Sequence, residues 1–132
     1  MSRFDAIPAD VPQVSTRASD FWLHDGLVYG RTRKGVPHGE LQDAIAVVEK
    51  MRELTGGVPH PLLFDASEVG WLQMRAREHV HRHAAEMFTR AGVVVGSAMV
   101  RAMSHALLGF INPTIPVRIF NDEDEAYEFA TA

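Results

Sequence analysis

At 132 residues the chain suits one domain with a single core, and its apolar (46%) and charged (23%) fractions are those of an ordinary globular protein. A formal net charge of -4 lacks the global electrostatic footprint of a nucleic-acid binder. The absence of cysteine excludes disulfides, thiolate zinc sites and cysteine nucleophiles, and it fits a reducing compartment.

Residues 1–17 carry Pro8 and Pro12 and show no periodicity, so they read as an irregular N-terminal arm ahead of a domain spanning 18–132. Acids and prolines interrupt the apolar run that a signal peptide needs. The longest mostly apolar region, 91–111, is broken by Arg101, Ser104 and His105, so no membrane span is expected and a cytoplasmic location is.

"FWLHDGLVYGRTR" (21–33) reads as a hairpin turning at Asp25-Gly26, a pair that favours the positive φ values of a tight turn. Phe21 and Leu23 share one strand face, and Leu27 and Tyr29 share a face of the next strand. "GRTRKGVPHG" (30–39) is basic and glycine-containing but lacks the spacing of a phosphate-binding P-loop, so a solvated connection is expected. Leu41, Ala44, Ile45, Val48 and Met51 then recur at helical spacing up to "TGG" (55–57).

"PLLFD" (61–65) is a continuous apolar run, the pattern of a strand covered on both faces. A helix is expected over 73–90, a buried strand over 91–97, a helix over 98–110 and a strand over 115–120. A last helix follows over 121–130, capped by Asn121 or Asp122 with acids in its first turn. The order β-β-α-β-α-β-α-β-α implies an α/β domain with a mixed, largely parallel five-stranded sheet and about four covering helices.

This order resembles the SpoIIAA-like, or STAS, fold, and more closely a group of uncharacterised bacterial proteins labelled STAS/SEC14-like. The stretches that carry the resemblance are 41–65, "VVVGSAMVRAMSHALLGFINPTIPVRIF" (93–120 region) and the acidic start of the final helix. Anti-sigma-factor antagonists of this fold follow their third strand with Asp-x-Ser-x-x-x-x-x-Asp-Ser-Ser-Gly, whose first Ser-Ser position is the phosphoacceptor. In "DASEVGWLQMRA" (65–76), Asp65 and Ser67 are kept, but the last four positions read Gln73, Met74, Arg75 and Ala76. The resemblance thus implies a module without the phosphoswitch, since Met74 has no hydroxyl. Ser67 reads as a turn residue bonding to backbone. The loop edge that contacts partners in STAS-like proteins corresponds to Trp71, Leu72, Gln73, Met74 and Arg75, although Trp71 folded back over the sheet as core accounts somewhat better for its apolar side chain.

"REHVHRHAAE" (77–86) puts His79, His83 and Glu86 on one helical stripe, a candidate set for a zinc ion, with His81 on the opposite side. The metalloprotease spacing is absent, and a solvated mixed-charge face accounts for all these residues, so no metal or other cofactor is assigned. Three histidines among Arg75, Arg77, Arg82 and Arg90 make this helix more basic below about pH 6.5, which would favour an anionic partner in mild acid. Ser104 and His105 are adjacent on a helix and do not face one another, and no catalytic elbow occurs.

The expected function is a non-enzymatic protein-interaction or regulatory module that admits a homodimer, with neither nucleic acid nor membrane span among its partners. The alternative is a carrier of a small apolar or lipid-like ligand, SEC14-like, whose pocket would be lined by Val100, Met103 and Leu107.

Overall fold

The structure, a computed structural model, describes residues 1–36, 39–68, 72–96 and 114–132. The helix expected over 98–110 lies outside these residues, and with it Val100, Arg101, Met103, Ser104, His105 and Leu107; so does Trp71. Among the described residues the chain forms β1 (Gln13–Ser15), β2 (Ser19–His24), β3 (Leu27–Thr32), α1 (Leu41–Thr55), β4 (His60–Asp65), α2 (Met74–Met87), β5 (Phe88–Val94), β6 (Val117–Phe120) and α3 (Glu123–Thr131).

Six strands lie side by side in chain order, one more than expected. Strand β2 runs antiparallel to both β1 and β3, and β3, β4, β5 and β6 run parallel. The additional strand is β1, which pairs Val14 with Phe21. Residues 1–17 are therefore not irregular throughout, and Phe4 within them is buried in the core. The arm's lack of periodicity has a physical cause, because a three-residue edge strand is too short to show alternation.

Asp25 and Gly26 both take positive φ, 51° and 77°, as a tight hairpin turn requires. Alternation then sends adjacent β2 residues to opposite sides of the sheet. Phe21 packs with Val28, Leu62, Phe88 and Ala91 beneath Val48, Met51 and Leu54 of α1 and Met87 of α2. Trp22 packs on the other side with Leu27, Leu63 and Phe4, under Ala126 and Ala130 of α3. The apolar run of β4 follows from this three-layer plan, in which Leu62 and Leu63 face different helices and both are buried.

Glu40 opens α1 through a reciprocal capping box with Asp43, and Gly56 closes it in the left-handed conformation at φ 64°. Helix α2 ends three residues earlier than expected and passes directly into β5, where Phe88 is already extended and buried. A Phe-Thr-Arg start suits a strand, and burying Met87 and Phe88 in the same core fixes the junction there. Strand β6 begins beyond Pro116, which has no N–H for the ladder, although its carbonyl accepts from Ala91 N–H at 2.9 Å. Asp122 caps α3, accepting from the Asp124 N–H at 2.8 Å.

Candidate functional site

In open α/β sheets the carboxyl ends of parallel strands are where loops gather and ligands or partners are met. Here the amino ends of α1 and α2 come together at that end, joined by a hydrogen bond from Gln73 N–H to the Gly39 carbonyl at 2.9 Å. Glu40, Leu41, Gln42 and Ile45 of the α1 side and Gln73 and Arg75 of the α2 side line a shallow groove of about 240 Å³. The two helix starts differ in character. The first turn of α1 is acidic and tethered, with Arg17 donating to both Asp43 oxygens at 2.7 and 3.1 Å. The start of α2 has no acid in its first turn and no side-chain cap from Gln73.

Of the residues expected to meet a partner, Gln73, Met74 and Arg75 are exposed, and Met74 is 65% accessible. Leu72 is half-buried and packs against Ala66 and Val95, which anchors the exposed residues to the sheet. Ile45 joins this surface although its helical spacing assigned it to the core, and it is 36% accessible. Its neighbour Ala44 takes the inward position instead. No periodicity argument separates the two, because they lie on adjoining edges of one apolar stripe.

The turn before α2 is held locally. Asp65 accepts from both the hydroxyl and the backbone N–H of Ser67, at 2.6 and 2.9 Å, so the Ser67 hydroxyl bonds to a carboxylate and not to backbone, and the side chain that holds the turn's backbone is that of Asp65. The basic stretch 30–39, which begins within β3, is less solvated than expected. Arg31 and Arg33 both donate to the buried carboxylate of Asp20, at 3.2 and 2.7 Å, and Ser15 adds a third bond at 2.8 Å. Burial raises the Asp20 pKa, but the bonds from Arg33, Ser15 and Arg31 outweigh it and hold the group below its ordinary value. Sequence reasoning missed this cluster, since only strand pairing reveals that Asp20 lies opposite Arg31.

The histidine row is also drawn into the fold. His83 meets Glu86 at 2.9 Å, and Arg52 of α1 donates to the same carboxylate at 3.3 Å. His79 stacks obliquely on His83 with ring centroids 4.7 Å apart. Among the described residues no three His, Asp or Glu side chains are grouped to hold a metal ion. Glu86 instead bridges the two helices beside an open cleft of about 590 Å³ floored by Met51 and Met87.

Residues 21–132 match the family described as a domain of unknown function, DUF7793. The chain belongs to the DUF7793 family. The match takes in the groove, the histidine row and nearly all the sheet, whereas Phe4, β1 and Asp20 precede it. No curated protein and no solved structure matches the chain. Among the described residues no helix of this DUF7793 member is long and apolar enough to cross a membrane.

Proposed function

We propose that the chain is a non-enzymatic protein-interaction or regulatory module of STAS-like type that lacks the phosphoswitch, with its docking surface at the paired amino ends of α1 and α2. The observation that carries this reading is Met74. It is the first residue of the helix that follows β4, the place of the phosphoacceptor in the STAS pattern, and it stands 65% exposed. A large apolar side chain held in water on an anchored turn contributes nothing to folding there, whereas covered by a partner it would contribute an apolar contact. Ile45 enlarges the apolar area, and Arg75 and Glu40 supply a polar rim of the kind that surrounds interface anchors.

Site-specific photo-crosslinking in cells tests the assignment. A crosslinking residue at position 74 is expected to capture one protein reproducibly, and the same residue at Val58, also exposed but in the turn after α1, is expected not to. Capture must also disappear when Ile45→Asp is added to the position-74 protein. Equal capture from both positions, or none from position 74, would overturn the proposal.

A further inference from the structure

We propose that the outer surface where α2 meets α1, formed by His79, Arg82 and His83 with Arg52, is a docking surface for an acidic segment of a partner protein, engaged when both imidazoles are protonated. This goes beyond the docking surface at Met74, which lies at the opposite end of α2.

The argument begins with convergence. The sequence places His79, Arg82 and His83 along one helix, and the fold brings Arg52 to them from α1. The His79 and His83 rings lie 4.7 Å apart, and Arg82 and Arg52 both act on His79 with positive charge. Glu86 is the acid bonded into this group, by His83 at 2.9 Å and Arg52 at 3.3 Å, and helical spacing also places Glu78 one turn before Arg82 and Glu49 one turn before Arg52. From β5, the strand that α2 runs into, Arg90 turns away to the Phe129 carbonyl of α3 on the far side of the sheet. His81 falls on the other side of the helix by periodicity.

The chemistry of the ligand follows from what is already seated. Glu86 shows that Arg52 and the His83 ring accept a carboxylate in this geometry. Arg82 and His79 have no acidic partner among the described residues, so a second carboxylate finds donors beside the first. Two guanidinium groups, those of Arg52 and Arg82, stand here beside the Glu86 carboxylate. His79 and His83 are about one helical turn apart, so protonation of the rings would add positive charge beside that of Arg82 and Arg52. Spaced carboxylates fit better than a continuous phosphate backbone, because Glu86 sits inside the surface and the whole chain carries a net charge of -4.

Burial, and then the charges of His83, Arg82 and Arg52, hold the His79 pKa below its ordinary value. An arriving carboxylate acts the other way and raises the ring's affinity for protons. Binding and protonation then favour each other, as linkage requires.

The test is fluorescence anisotropy with a labelled hexa-aspartate peptide at low salt. Binding is expected to be about tenfold tighter near pH 5.8 than near pH 7.5. The double variant His79→Gln/His83→Gln should lose most of that difference. The other histidines are the same in both proteins, so the comparison isolates these two rings. Arg82→Gln changes an exposed side chain and should weaken binding at both pH values. Three results would each overturn the inference: affinity independent of pH, full pH dependence in the double variant, or a short single-stranded oligonucleotide of equal charge binding as tightly. None of these readouts depends on Met74, so failure here leaves the docking surface at the other end of α2 to be judged separately.

Discussion

Gly92 marks the closest approach of α3 to the sheet, since a Cβ there would lie 2.6 Å from the Ala126 carbonyl oxygen. That oxygen belongs to helix backbone and cannot move without moving the helix, so Gly92→Ala is expected to cost about 2–3 kcal/mol. Gly30 faces the other layer, where a Cβ would meet the rings of Phe21 and Phe64 at 2.6 and 2.7 Å. Those rings stack 6.1 Å apart across the glycine and can tilt, so Gly30→Ala should cost less, about 1–2 kcal/mol. Urea denaturation of both variants tests the ranking, and the reverse order would refute it. Asp20 offers a second test at this scale. Its folded-state pKa lies below the unfolded value, so its stabilisation is complete above the ordinary carboxylate range and is lost as pH falls through the folded value. Asp20→Asn should therefore cost about 2 kcal/mol near pH 7, a gap that holds to about pH 5 and narrows below about pH 4. Stability curves against pH for the two proteins decide it.

Among elements, the amino-terminal segment departs furthest from its sequence expectation. Phe4 is 4% accessible and closes the α3 side of the core with Trp22 and Leu27. Its backbone carbonyl accepts from Arg31, and the segment is clasped to α3 through Ser2 and Arg3, both bonded to Glu123 at 2.8 and 2.7 Å. Phe4→Ala is expected to destabilise the protein by about 3 kcal/mol, a core effect from a residue outside the family match. A loss below about 0.5 kcal/mol would mean the segment only drapes over the surface. Helix α2 shows the opposite balance at its start. Met74→Asp should shift stability by no more than about 0.5 kcal/mol, because the side chain is mostly in water. A thermal melt of that variant distinguishes an exposed docking residue from a buried one.

For the whole molecule, the two main cores share one sheet, with Leu62 and Leu63 of β4 serving opposite sides. Loss of either helix layer strips one face of the same strands, so unfolding should be a single cooperative step. Far-UV circular dichroism and tryptophan fluorescence are expected to give superimposable urea transitions, and separate midpoints would show that the layers unfold independently. Much of this organisation was legible in local patterns. The Asp25-Gly26 turn, the Gly56 helix end, the Asp122 cap and the doubly covered β4 each depend on residues close in sequence. Of the candidate site, the residue types of Gln73, Met74 and Arg75 were legible, and the structure exposes them, whereas Ile45 could not be told from Ala44 by spacing.

The sequence by itself determined the α/β class, the hairpin and the positions of α1, β4 and α3, because backbone conformation and hydrophobic periodicity are local properties. It also determined that position 74 carries Met, a side chain without a hydroxyl, since residue identity needs no fold. Only the tertiary structure decided that Phe4 belongs to the core, that Asp20 is buried between Arg31 and Arg33, and that Arg52 joins the histidine row. Each of these rests on contacts between residues distant along the chain, formed through strand register and helix packing, which a one-dimensional pattern does not encode.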